Sequence, residues 1–141
     1  MKKVLIVDDE QLTLDGLERI LSKVSGLKVV EKLQNGLQAK RYLEDHSVDI
    51  VFTDIRMPVM DGLELARWIH IFRPECNIIL ISAYKDFAAV CFFNLSNSST
   101  HRTCCWNNNI ICVNSILSRN ISVHLGNYLV SLNDFQFITN M

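Results

Sequence analysis

Four short apolar runs in the first ninety residues each stop at a polar or acidic residue, and a stretch of helical period separates each from the next. The runs cover residues 3–7, 27–31, 48–53 and 78–82. Each has strand length and is too short for a buried helix. Between them Leu14, Leu17, Leu21 and Val24 recur at helical spacing, with Ile20 on the same face. Ala39, Tyr42 and Leu43 mark a second helix, and Leu65, Ala66, Ile69 and Phe72 a third. Ser25-Gly26, Asn35-Gly36, Asp61-Gly62 and Arg73-Pro74 punctuate the pattern. Tyr84 opens a fourth helix. Strands recurring every ~20–30 residues with helices between them predict βαβ units and a parallel sheet. Right-handed crossovers then place helices on both faces, so the expected class is α/β with a doubly wound sheet.

In such sheets a polar site lies beyond the carboxyl ends of the strands. Asp8 and Asp9 follow the first run, Asp54 ends the third, and Ser82 ends the fourth with small Ala83 next. Three carboxylates at one rim repel each other, and leaving them unpaired is costly. A hard dication resolves the conflict, and Mg²⁺ takes a few carboxylates together with water and phosphate oxygens. A serine hydroxyl on the far side can donate to a bound anion. The set therefore suits phosphoryl chemistry, with one carboxylate as nucleophile. An Asp-Asp pair alone is more often a helix cap with dipole-favoured acids. Asp54 and Ser82 at the same rim shift the weight to function.

Charge and composition narrow the class. The 141 residues carry a formal net charge of −1, with 49% hydrophobic and 21% charged residues. This is a globular average with no electrostatic reason for nucleic acid or an anionic membrane as partner. No apolar run approaches the ~18 residues of a membrane span. The apolar stretch after Met1-Lys2-Lys3 ends at Asp8-Asp9-Glu10, too soon for an export signal. A cytoplasmic location with reduced cysteines is expected.

Three motifs carry a family resemblance. Residues 4–10 (Val-Leu-Ile-Val-Asp-Asp-Glu), 49–62 (Asp-Ile-Val-Phe-Thr-Asp-Ile-Arg-Met-Pro-Val-Met-Asp-Gly) and 79–85 (Ile-Leu-Ile-Ser-Ala-Tyr-Lys) closely resemble the receiver domain of two-component response regulators. The wording Ser-Ala-Tyr-Lys-Asp-Phe is similar to receivers fused to AraC-type DNA-binding domains. The resemblance spans about residues 2–90 and implies a flavodoxin-like sheet of order 2-1-3-4-5. It implies that Asp54 accepts a phosphoryl group from a sensor histidine kinase. Asp9 and Asp54 would then ligate Mg²⁺ directly, Asp8 mostly through water, and Arg56 through its backbone carbonyl. Ser82 would bond the phosphoryl oxygen and draw its loop inward as the switch, Ala83 would leave space, and Pro58 and Gly62 would shape the loop after Asp54. The implied module is a phosphoprotein of the phosphorelay, linked to transcription regulation. It turns over no small molecule, binds neither nucleic acid nor membrane by itself, and is compatible with homodimer formation.

The chain departs from the family after residue 90. Residues 1–90 form the receiver core, and residues 91–141 an atypical tail. Residues 1–90 hold 12 Lys/Arg and 14 Asp/Glu, whereas residues 91–141 hold only Arg102, Arg119 and Asp134 as charged residues. The tail carries 10 of the 12 asparagines and four of the five cysteines. The family's fifth strand ends in a Lys-Pro pair, and that spacing falls on Cys104-Cys105, with the switch aromatic falling on His101. No lysine follows Lys85, which is poorly aimed as a substitute. The missing ammonium would offset phosphoryl charge. A reading-frame shift near codon 88 accounts for a break inside a helix. A divergent ending is the alternative, with strand-like content over 109–117 and 121–132 that replaces the last strand and covers the sheet edge. The fifth strand and fifth helix are accordingly unassigned.

Other residue groups have plainer explanations. His101, Cys104, Cys105 and Cys112 have poor zinc spacing. Cys76 and Cys91 read as apolar fillers, His46 and His70 as surface residues, and Trp68 as partly exposed packing. Two functional rivals remain. A pseudo-receiver would bind a partner without phosphotransfer. An aspartyl-phosphate phosphatase would place its acids two residues apart after the first strand, whereas Asp8 and Asp9 are adjacent.

Overall fold

A computed structural model of the chain describes residues 1–82, 103–106, 110–114, 122–125 and 128–131. The elements run β1 (Lys2–Val7), α1 (Gln11–Ser22), β2 (Leu27–Leu33), α2 (Gly36–Asp45), β3 (Ile50–Asp54), α3 (Gly62–Phe72) and β4 (Asn77–Ser82). Four further strands follow: β5 (Thr103–Trp106), β6 (Ile110–Asn114), β7 (Ser122–Leu125) and β8 (Tyr128–Ser131). The main sheet has the order β2-β1-β3-β4-β6-β5, and β7 and β8 form a separate hairpin pair. β1, β2, β3, β4 and β6 are mutually parallel, and β5 runs antiparallel to β6.

The central strand explains the architecture. β1 is apolar on both sides because both of its faces are covered, as expected for a parallel sheet. Val4 and Ile6 point to one layer, where Leu14, Leu17 and Leu21 of α1 pack with Ile50 and Phe52. Leu5 and Val7 point to the other, where Ala39 and Leu43 of α2 meet Leu65, Ala66 and Ile69 of α3. Each such leucine or isoleucine contributes about 1.5–3 kcal/mol on burial. The helices are on both faces, and the doubly wound α/β class holds over the first four strands.

Local chemistry sets the helix ends. The Asn35 side chain accepts the Gln38 N–H at 2.9 Å, and Asp61 accepts the Glu64 N–H at 2.8 Å. At the other end of α2, the Arg73 guanidinium donates to the Leu43 carbonyl at 3.0 and 3.2 Å and to Glu44 at 3.3 Å. It thereby satisfies carbonyls that the helix itself leaves open. α1 stops at Ser22, earlier than the apolar spacing suggests, and Gly26 at φ 89° turns the chain into β2. Val24 lies past the helix yet still packs on the same core.

The tail differs from the spacing argument. Cys104-Cys105 lie on the antiparallel edge strand β5, not at the end of a fifth parallel strand. That position is taken by β6, whose Ile110 to Asn114 pair with Ile78 to Ser82. Residue counting failed because an extra strand precedes the parallel one. The edge is covered by β5, whereas the strand-like stretch after residue 121 forms the separate β7–β8 pair. The expected fourth helix from Tyr84, and with it Ala83, Lys85, Cys91 and His101, lies outside the described residues.

Candidate metal centre

Strand register brings the acids together. β1 and β3 are adjacent and parallel, with Val7 opposite Thr53, so Asp8 and Asp54 emerge side by side at the same rim. Asp9 follows directly. One carboxylate oxygen from each of Asp8, Asp9 and Asp54 lies within 4.8 Å of the others. Asp8 is buried, Asp54 half-buried and Asp9 exposed. β4 lies beside β3 with Ile81 opposite Asp54, which puts Ser82 one residue further along the same rim. Asn114 is the partner of Ser82 on β6.

Backbone groups hold each acid-bearing segment. Asp8 donates its N–H to the Leu33 carbonyl at 3.0 Å, and its Oδ1 accepts the Glu10 N–H at 2.9 Å. Asp54 Oδ1 accepts the Ile55 N–H at 2.7 Å, and the Arg56 N–H also bonds the carboxylate. The Thr53 hydroxyl donates to the Asp54 carbonyl at 3.0 Å. The loop after Asp54 is closed by the Gly62 N–H on the Ile55 carbonyl at 2.8 Å. Within it the Met60 N–H bonds the Pro58 carbonyl at 2.8 Å around Val59 at φ 70°. This is a γ-turn of the rare, strained hand.

Burial and mutual repulsion dominate the electrostatics of the acidic cluster. Burial pushes Asp8 up to about 7, the Glu10 N–H opposes that, and repulsion from Asp54, Asp9 and Glu10 adds to it. Burial likewise pushes Asp54 up to about 6, with Asp9 and Glu10 adding repulsion and the Ile55 and Arg56 N–H groups working against it. The donor set is entirely oxygen, it converges, and its carboxylates repel one another. That chemistry fits a hard dication such as Mg²⁺ better than zinc or a soft metal.

Of the residues expected from sequence, Asp8, Asp9 and Asp54 are brought together in space, and Ser82 reaches the same rim by backbone position. Arg56, Pro58 and Gly62 lie in the loop and helix start that follow Asp54, with the Arg56 side chain exposed. His46 is exposed and stacked on Tyr42 at 4.1 Å. Trp68 is half-buried beside Phe72 and Lys40. Cys76 is buried in the core, its thiol pushed up to about 12 mainly by burial. Sequence reasoning missed Gly36. The pair Asn35-Gly36 signals a turn, but nothing in it discloses that the Gly36 N–H donates to Met60 across two elements.

The profile of the response regulator receiver domain matches residues 4–94. The chain is 38% identical over 88 residues to the uncharacterized transcriptional regulatory protein YesN of Bacillus subtilis, covering 62% of this chain and 24% of that protein. It is 34% identical over 90 residues to protein MrkE of Klebsiella pneumoniae, covering 64% of this chain and 34% of that one. The chain thus spans about a quarter to a third of the length of these relatives. Among solved structures, the response regulatory domain of mrkE from Klebsiella pneumoniae superposes with a TM-score of 0.59 at 34% identity, covering 64% of this chain and 75% of that one. The REC domain of AraT, a response regulator from Geobacillus stearothermophilus, gives 0.58 at 33%, covering 63% and 70%.

Proposed function

The chain belongs to the response regulator receiver domain family, and from that premise we propose that it is the phospho-accepting module of a two-component phosphorelay, taking a phosphoryl group from a sensor histidine kinase onto Asp54. The observation that carries the reading is the convergence of Asp8, Asp9 and Asp54 within 4.8 Å at the carboxyl ends of two adjacent parallel strands.

The residues divide the work. Asp54 is the nucleophile, and the Ile55 and Arg56 N–H groups hold its carboxylate in one orientation. A carboxylate oxygen attacks phosphorus, an acyl phosphate bond forms, and the donor's P–N bond breaks with its electron pair leaving on the imidazole. Asp9, Asp54, the Arg56 carbonyl and, through water, Asp8 would hold Mg²⁺. The bound ion would supply charge neutralisation for the transferred group. Ser82 donates to a phosphoryl oxygen and acts as the switch, with Ala83 leaving space. Such a chain is a signalling module acting on itself, with no small-molecule substrate. We place it in the cytoplasm. Among the described residues no helix is long and apolar enough to cross a membrane. The chain itself makes no contact with nucleic acid in this reading, and pairing into a homodimer is compatible with it.

One observation favours a second reading. No lysine follows Lys85 in the sequence, and the residue that ends β6 beside Ser82 is the neutral Asn114. A pseudo-receiver, binding a partner without phosphotransfer, would tolerate that loss of charge. Incubation with labelled acetyl phosphate separates the two. The first reading expects incorporation that requires Mg²⁺ and is abolished in Asp54→Asn. No incorporation by a folded, Mg²⁺-binding chain favours the second.

A further inference from the structure

The segment joining β2 to α2 touches both of the acid-bearing stretches. At its start the Leu33 carbonyl accepts the Asp8 N–H at 3.0 Å. At its end the Gly36 N–H donates to the Met60 carbonyl at 3.1 Å, in the loop that follows Asp54. Four residues thus bridge two segments that follow different strands. We propose that Gly36 is a positioning residue for the Asp54 site, the end of a bracket that holds the two acid-bearing segments at their working separation. The inference rests on reading the acids as a Mg²⁺ centre.

Three observations give the bracket its force. First, a Cβ on Gly36 would lie 2.5 Å from the Met60 carbonyl oxygen, 3.0 Å from its Cγ and 3.1 Å from its carbonyl carbon. A backbone oxygen cannot swing aside as a flexible side-chain tip does, so any side chain at residue 36 displaces Met60. Second, Met60 closes the γ-turn at Val59, whose φ of 70° is already unfavourable for a β-branched residue. A turn held in a sparsely populated conformation needs external support, and the Gly36 N–H supplies some of it. Third, the same loop begins with the Ile55 and Arg56 N–H groups that bond the Asp54 carboxylate. A shift at Met60 is therefore relayed over four residues to the groups that orient Asp54 and to the Arg56 carbonyl.

The test uses the full chain, with Mg²⁺ alone as the probe and the amide resonances of Ile55 and Arg56 as the readout. Gly36→Ala is expected to weaken Mg²⁺ binding about fivefold or more while its far-UV circular dichroism stays native. A second measurement needs no substitution. Because coupling is reciprocal, saturating Mg²⁺ should slow hydrogen exchange at the Gly36 amide of the unsubstituted chain by more than at amides remote from the site. A purely structural glycine would lower stability yet leave Mg²⁺ affinity unchanged, and its amide would slow no more than amides remote from the site, which bound Mg²⁺ protects only by stabilising the whole fold. Native Mg²⁺ affinity in folded Gly36→Ala, or a Gly36 amide that Mg²⁺ slows no more than remote amides, overturns the proposal. If affinity is intact in Gly36→Ala but lost in Asp54→Asn, the metal centre stands and only the bracket falls. If Mg²⁺ does not perturb Ile55 and Arg56 in the unsubstituted chain, both fall together.

Discussion

Gly62 packs its Cα directly on the backbone of Asp54: a Cβ there would overlap the Asp54 carbonyl oxygen and crowd the Ile55 Cα. The first turn of α3 is therefore seated against the end of β3. Gly62→Ala is expected to cost about 2–3 kcal/mol of stability, because the obstructing atoms are backbone and cannot repack locally. Urea denaturation of the two proteins measures it. A change below about 0.5 kcal/mol would mean that the loop is looser than described.

Val59 carries a φ of 70° while 78% of its surface is exposed, so no core packing compensates its conformation. Relief of a strained φ is worth roughly 1–3 kcal/mol. The extra freedom of glycine in the unfolded chain takes back about 0.4–1 kcal/mol. Strain relief is the larger effect, so Val59→Gly should stabilise the fold by about 1 kcal/mol. A lowered Tm would contradict this.

The acidic cluster makes stability depend on pH. Asp8 at about 7 and Asp54 at about 6 both stand above the ordinary 3.8. Between those limits the folded chain holds more protons than the unfolded one, so metal-free stability falls as pH rises and the loss is complete above about 7. The drop between about pH 5 and about pH 8 should be on the order of 2 kcal/mol, after discounting for partial exposure and screening. Urea midpoints in chelator measure it. Saturating Mg²⁺ should flatten the slope by stabilising the ionised form, and Asp8→Asn should reduce it without metal. Metal-free stability that rises over this range would show that the acids are not held as described.

The sequence made the receiver core legible because burial on both faces of a parallel sheet leaves a continuous signal. Val4 to Val7 and Ile78 to Leu80 could serve only as interior strands. Asp8, Asp9 and Asp54 were legible for the same reason: the ends of parallel strands locate a rim from the apolar runs alone. Gly36 was not, because its role depends on Met60, which is distant along the chain and whose contribution is a carbonyl that every residue possesses. Val59 was opaque too, since nothing in a valine announces a positive φ. In the tail, Cys104-Cys105 misled because counting residues assumes the family's order of elements. The pairing of Ile110 to Asn114 with β4 follows instead from an apolar run beside an open parallel edge.

The most direct measurement of the central claim is chemical trapping of the phosphorylated residue. After incubation with acetyl phosphate and Mg²⁺, borohydride reduces an aspartyl phosphate to homoserine, and peptide mass spectrometry locates it. Homoserine is expected at residue 54, and none when Mg²⁺ is chelated. Reduction at Asp8, Asp9 or elsewhere with Asp54 intact, or no reduced residue in a folded chain, would contradict it.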